Sequence, residues 1–435
     1  MENIIILMTI ILLVYLLIVG HYISSIFLAL GALGIFLIGG ITPLSGFLRS
    51  DSFSQAASYS LTTIPLFVLM AQFVMGTRII EDLYDLSFRM SKGRRSPLGV
   101  ITIVLGALLG AVSGSSTATT AAMSKVTLPE LKKRGYSDFF AGAIIATSGS
   151  LSAIIPPSVI LIIYGVVAHI SIGQLFMGAL IPGILMTIVF SIIVIIMSGS
   201  NKHIDTSVSL TEEDERLPIF RYVVAVSMGA LMAVAVFGGI FSGLFTPTEA
   251  GAVGAFIALL FAIFLGKFNF KFLQDALYET TKITAMTMFI VIGASLFGRF
   301  ISLSLVPRKI INILEPLMDS PNLIIVIILV FYFVLFMFID SIAVILMTVP
   351  MLMPIIDAIQ VDPLWFGIMV SISCTIGLIS PPVGSNVFVV GSTTGISIEG
   401  IFRITLIISL ITSVIILGLL ILFPELVTWL PSVLS

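Results

Sequence analysis

Charge is scarce in this chain. Only 10% of its 435 residues are charged, against roughly 25% in a soluble domain, which excludes an aqueous globular fold. The 20 basic and 22 acidic side chains nearly cancel, for a formal charge of -2, so no basic face for nucleic acid exists. A single cysteine, Cys374, excludes a disulfide framework and any cysteine-based metal cluster. The three histidines, His21, His169 and His203, are too scattered to make a zinc site by spacing. No G-x-S-x-G or H-E-x-x-H motif occurs, and His169 has no evident partner for nucleophilic chemistry. An intramembrane protease or acyltransferase is therefore disfavoured, and the chain reads as a non-enzyme. The N-terminal "MENIIILMTIILLVYLLIVG" lacks a basic leader and a small-residue cleavage site, so it reads as a retained first span.

Apolar sequence is what the chain has in quantity: 58% of residues are hydrophobic and the mean hydropathy is +1.23. With about 20 apolar residues needed per bilayer crossing, it reads as an all-α polytopic membrane protein. Apolar runs fall at 3–19, 22–41, 61–80, 97–128, 138–168, 172–197, 220–243, 248–266, 281–306, 322–358, 363–394 and 401–429. Basic residues gather at Arg89, Lys92, Arg94 and Arg95, at Lys132, Lys133 and Arg134, and at Lys267 and Lys271. The positive-inside rule places these loops, and the polar connector 198–219, in the cytoplasm, and both termini in the periplasm.

Segment 97–128 then begins and ends on the same side and carries "SGSSTATT" at its centre. A segment of that kind is a re-entrant helical hairpin. Segment 322–358, with "FIDSIA" at its centre, reads as a second hairpin entering from the opposite face. A shift of 225 residues aligns Ser116 with Ser341, Pro129 with Pro354, Gly142 with Gly367 and Pro156-Pro157 with Pro381-Pro382; Gly165 matches Gly391 after one inserted residue. The expected architecture is about ten spans plus two hairpins in two inverted repeats, a signature of secondary transporters. Its units are N-terminal scaffold spans at 1–96, a first core at 97–171 (hairpin 97–134, broken helix 138–168) and central spans at 172–321. A second core at 322–400 (hairpin 322–358, broken helix 363–394) and a C-terminal span at 401–435 complete it.

The double prolines lie in the middle of membrane-length apolar runs, "SLSAIIPPSVILIIYG" and "TIGLISPPVGSNVFVVG". Proline has no N–H, so Pro156 and Pro157 deprive the Ser152 and Ala153 carbonyls of helical partners, and Pro381 and Pro382 do the same for Gly377 and Leu378. Unsatisfied carbonyls in hydrocarbon cost several kcal/mol. A bare sodium ion takes several oxygen ligands and suits such a turn, with further oxygens from the tips "SGSST" and "IDSIA". A proline kink repaired by serine hydroxyls or water is the alternative. The half-helix N-termini past each break favour an anionic group, with Ser158, Ser385 and Asn386 as the nearest polar side chains. Asp340, a carboxylate at hairpin depth, either supports a cation or caps the second arm of its hairpin. Arg299 either binds a carboxylate or snorkels, and Glu249 after Thr246-Pro247-Thr248 marks a helix start. Gly377→Val or Ser152→Pro is expected to remove sodium dependence and leave the protein folded.

The motifs "GAVSGSSTATTAAMSKVTLPELKKRGY", "IIPPSVILIIYG", "ISIGQLFMGALIPG", "FTPTEAGAVGA", "FIDSIAVILMTVPMLMPI" and "GLISPPVGSNVF" resemble the large membrane subunit of TRAP (tripartite ATP-independent periplasmic) transporters over nearly the whole chain. The resemblance implies sodium-driven uptake of a carboxylate-bearing organic acid, such as sialic acid or a C4-dicarboxylate, across a bacterial inner membrane. It also implies a periplasmic solute-binding protein, a small four-helix membrane subunit that the absence of extra N-terminal helices marks as separate, and an elevator motion of the hairpins and broken helices. Carried over by position, two or more sodium ions would be held at Ser113, Gly114, Ser152, Ile155 and Ser158 and at Phe336, Gly377, Ser380 and Val383. The solute would lie between the tips, at Ser115, Ser116, Thr117, Ser158, Asp340, Ser341, Ser385 and Asn386. Phe336 in "FMFIDS" stands where the resemblance leads one to expect glycine. A sodium/carboxylate symporter working without a binding protein is the alternative.

Overall fold

The structure, a computed structural model, describes the chain apart from Met1, Ser52, residues 55–56, 78, 80–81, 84–85, 87–94 and 200–218, and Ser435. Arg89, Lys92, Arg94, His203 and most of the connector 198–219 lie outside the described residues. Helices α1 (Glu2–Val19), α2 (Ile23–Gly39) and α3 (Thr63–Gly76) open the chain. A hairpin of α4 (Arg95–Ser113) and α5 (Ser116–Lys133) follows, then a helix broken into α6 (Asp138–Ser150) and α7 (Val159–Ala168). The centre holds α8 (Ile172–Ser198), α9 (Ile219–Ala233, carried on through a π-helical turn), α10 (Pro247–Phe264), α11 (Phe270–Leu303) and a short α12 (Val306–Leu314). A second hairpin, α13 (Pro321–Phe338) and α14 (Ser341–Ala358), precedes a second broken helix, α15 (Pro363–Gly377) and α16 (Ser385–Thr394). Helices α17 (Ile398–Thr412, extended to Leu422) and α18 (Glu425–Leu434) end it.

Among the described residues, eight helices are long and apolar enough to cross a membrane, and α13 and α14 are two of them. Setting the hairpin arms aside and adding α1, α2 and the two broken helices as composite crossings returns the ten expected. The broken halves have 13, 10, 15 and 10 residues, each too short for a core of roughly 30 Å at 1.5 Å per residue. The run 401–429 divides at Pro424, which cannot continue a helix, and the run at 281 begins earlier, at Phe270.

The repeat is visible in the helix limits. Helices α5 and α14 begin and end 225 residues apart, α4 and α13 end 225 apart, and α6 and α15 begin 225 apart. From α7 and α16 onward the offset is 226, so the inserted residue sits in the break. Start signals are local: Ser115, Ser137, Asp340 and Asp362 each accept a backbone N–H in the first turn of α5, α6, α14 and α15, and Thr246 with Glu249 forms a capping box on α10.

The second half of each broken helix packs on the other repeat: α7 lies against α14, and α16 against α5. Tyr164 on α7 donates to the Pro363 carbonyl at 2.6 Å and sits over Gly367, where a Cβ would come within 2.2 Å of its ring. Tyr164→Phe removes that inter-repeat bond without changing shape. It should lower stability by about 1 kcal/mol, read by thermal unfolding of the purified protein. Outside the cores, α2 packs on α11 and α3 on α10, the latter pair joined by Thr63 and Thr248 hydroxyls 2.7 Å apart. An apolar cavity of about 420 Å³ is walled by α3, α4, α5 and α9, with Met70, Leu105, Leu109, Met123, Met228 and Val236 among its lining.

Candidate functional site

Helix α4 seats on the first broken helix through three glycines at four-residue spacing. A Cβ on Gly106 would lie 2.5 Å from Ser148 Cβ, one on Gly110 2.9 Å from Ser152 Cα, and one on Gly114 2.7 Å from the Pro157 carbonyl oxygen. Gly114 also has φ +60°, the left-handed turn that ends the arm. The tip is thereby brought to the break. The Gly114 carbonyl accepts the Val159 N–H at 3.3 Å, and a chain of hydroxyls runs from Ser113 to Thr119 and from Thr119 to Ser152, the last step 3.0 Å. Ser113, Thr119, Ser152 and Ser158 are buried.

Both Pro–Pro peptide bonds are cis. Three of the four freed carbonyls find partners inside the protein. The Ser158 hydroxyl donates to Ala153 at 2.7 Å, the Ser380 N–H to Gly377 at 3.0 Å and the Asn386 N–H to Leu378 at 3.1 Å. Ser152 is the exception: the N–H of Ile155 turns to Leu151 and residue 156 is proline. The first break therefore leaves the Ser152 carbonyl without its helical donor, on the residue whose buried hydroxyl ends the Ser113–Thr119–Ser152 chain. All are hard oxygen donors, a set that fits a sodium ion and not a soft metal. Among the described residues no group of three or more His, Cys, Asp or Glu side chains could hold a metal ion.

The second break is built differently. Phe336 fills the space over Gly377, where a Cβ would lie 2.4 Å from Phe336 Cβ, and the Val383 N–H donates to the Met337 carbonyl at 3.1 Å. Gly377→Val would consequently force the hairpin off the break, so the expectation of a folded variant fails on packing. Ser380 is buried with its hydroxyl on Ile376 at 2.8 Å, whereas Val383 is 43% exposed. Ile155 is half-buried against Gly183.

The polar residues of the tips separate into exposed and committed groups. Thr117 is exposed, and Ser115, Ser116 and Ser385 are half-buried. Ser115 and Asp340 hold the same place in the 225-residue register, and both are N-caps; Asp340 accepts the Ile342 and Ala343 N–H groups at 3.0 and 3.4 Å and is exposed. Of its two readings, the cap is the one with a partner in hand. Ser341 is buried and takes a hydrogen bond from Cys374 at 3.0 Å. Asn386 is buried, with its amide on Ser116 and on the Ala146 carbonyl. Arg299 is exposed and Glu249 belongs to the α10 capping box. His169 caps α7 in a left-handed conformation.

Sequence reasoning missed Thr119, the middle of the hydroxyl chain, and the Gly106-Gly110-Gly114 face. The second had a readable signal, since small residues four apart mark close helix contact in membranes.

Two hairpins that each clasp a broken helix within a bundle of apolar spans define a membrane transporter. The profile of the tripartite ATP-independent periplasmic transporter family, DctM component, matches residues 10–426. The chain is 32% identical over 349 residues to the 2,3-diketo-L-gulonate TRAP transporter large permease protein YiaN of Escherichia coli, covering 80% of this chain and 81% of that one. It is 30% identical to the sialic acid TRAP transporter large permease protein SiaM of Vibrio cholerae, covering 86% and 87%. The crystal structure of the Alcanivorax borkumensis YdaH transporter superposes with a TM-score of 0.67 at 14% identity, over 96% of this chain and 98% of that one, a likeness of fold alone. The chain belongs to the TRAP transporter family as its large permease component.

Proposed function

We propose that the protein takes up a carboxylate-bearing organic acid by sodium-coupled secondary transport in a bacterial inner membrane. A periplasmic solute-binding protein delivers the solute, and a small four-helix membrane subunit supports the large one. The observation that supports the sodium reading is the Ser152 carbonyl, left without its helical donor on the residue that ends the buried Ser113–Thr119–Ser152 hydroxyl chain. Ser113, Gly114, Ser152, Ile155 and Ser158 would hold one ion; Gly377, Ser380, Val383 and the Phe336 region would hold a second.

The solute's anionic end belongs at the exposed helix N-termini beside the tips, with Ser115, Thr117 and Ser385 as donors. Relatives named for 2,3-diketo-L-gulonate, sialic acid and C4-dicarboxylates support a carboxylate. One named for isethionate, a sulfonate, widens the class to organic anions. The two hairpins are re-entrant, the termini face the periplasm, and the cores move as an elevator against the α2–α11 and α3–α10 pairs. The apolar wall of the cavity beside α3, α4, α5 and α9 supports that motion, because apolar surfaces slide past one another at low cost.

The test needs no known solute. Melting temperature of the detergent-purified protein is measured in sodium and in choline at equal ionic strength. An ion that binds only the folded state stabilises it by mass action, so a sodium-specific rise is expected; equal values in both salts would overturn sodium coupling in the isolated subunit. Uptake in proteoliposomes that requires an added binding protein would separate this function from that of a symporter working alone.

A further inference from the structure

Asn386 does three things at one point. Its N–H satisfies Leu378, a carbonyl freed by the second double proline; its amide nitrogen lies 2.7 Å from the Ser116 hydroxyl and 3.2 Å from the Ala146 carbonyl; its amide oxygen lies 3.0 Å from the same hydroxyl. Leu378 and Asn386 belong to the second repeat, whereas Ser116 is the tip of the first hairpin and Ala146 lies on α6. The side chain has no exposed surface, and a buried amide is tolerated where its donors and acceptor are all used.

The repeat register shows that this arrangement is one-sided. The positions of the first repeat that match Asn386 at offsets of 226 and 225 are Ile160 and Leu161, both apolar and buried. The matching tip serines also differ in partner: Ser341 bonds Cys374 of its own repeat, and Ser116 bonds Asn386 of the other. An architecture that repeats its helix limits to the residue elsewhere thus carries at Asn386 a polar bridge between its halves that has no counterpart at the matching position of the first repeat. A purely apolar contact, as at Ile160, would serve packing equally well.

We propose that Asn386 is a positioning residue that ties the tip of the first hairpin to the second broken helix, so that the first tip opens only as the second break rearranges. The two ion sites of the proposed function then fill cooperatively; that consequence, unlike the tie itself, rests on the sodium reading.

The tie is tested with a cysteine reporter at the exposed tip, Thr117→Cys, in the full-length chain, with Cys374 buried and slow to react. Maleimide labelling is timed alone and with Asn386→Ala, Ser116→Ala or both. Loss of the shared hydrogen bonds should raise the rate roughly fivefold in either variant, and the double variant should be no faster than the faster single one. Ser341→Ala, which breaks the bond internal to the second repeat, should leave the rate unchanged. Rates equal to the reporter's own in both single variants, or a double variant that multiplies the two effects, would overturn the tie. Ser116→Ala keeps the test open should Asn386→Ala fail to fold, because it leaves the Ala146 bond in place. The Hill coefficient for sodium in the melting assay should fall towards 1 in both variants. A wild-type protein indifferent to sodium would sink the sodium reading, while the labelling rates still decide the tie.

Discussion

Gly106→Val should abolish uptake and lower the unfolding free energy by about 3 kcal/mol or more. The added Cβ alone would stand 2.5 Å from Ser148 Cβ and 2.7 Å from the Ser148 carbonyl carbon and oxygen. Two of those three atoms are backbone in the last turn of α6, so no rotamer change relieves the clash, and either α4 or α6 must withdraw. Withdrawal at Gly106 propagates along the face, because Gly110 and Gly114 bring the same arm to Ser152 and Pro157. The tip would lose the Val159 bond and the hydroxyl chain together, and with them any sodium-specific rise in melting temperature. Gly106→Ala should show the same effects at smaller size. Gly229→Ala is the control: nothing lies within 4 Å of its added Cβ, and alanine is the better helix former. Native melting and uptake in Gly106→Val would mean that the hairpin does not seat on the break as described.

Much of this architecture was legible because its signals are local. A double proline breaks a helix wherever it occurs, run lengths report crossings, and the 225-residue register of the sequence reappears in the limits of α5 and α14. The partners of the freed carbonyls were not legible. That Ser158 turns back to Ala153 while Asn386 reaches Leu378 depends on backbone angles within five residues of each break, which residue types do not determine. Asp340 stayed ambiguous for a related reason, since a cap and a cation ligand use the same side chain. Aligning it with Ser115 would have favoured the cap, as both head an 18-residue helix. The placement of α7 on α14 and α16 on α5 is a matter of tertiary packing between apolar surfaces, and apolar surfaces carry little address.

Thr119→Val is expected to weaken the sodium response of the first site roughly tenfold or more while leaving the protein folded. Thr119 is buried, accepts the Ser152 hydroxyl at 3.0 Å and pairs with Ser113. Valine keeps the shape and removes the oxygen, so both serine hydroxyls lose a partner, at about 1 kcal/mol or more each. Packing at this position already admits valine: in the 225-residue register Thr119 matches Val344, which is fully buried on α14 of the second hairpin. The substitution therefore makes the first tip like the second at one atom. If the hydroxyl chain holds the tip in register over the Ser152 carbonyl, the sodium concentration for half-maximal rise in melting temperature moves up and the melting temperature in choline changes little. A large fall in choline with an unchanged sodium midpoint would assign the chain to the fold and not to the ion. The reverse exchange, Val344→Thr, places a hydroxyl at the matching position of the second hairpin, where the 225-residue register puts Gly377 in place of Ser152, and should leave sodium affinity where it was. The pair of results separates what the first break does with its hydroxyls from what both breaks do with their carbonyls.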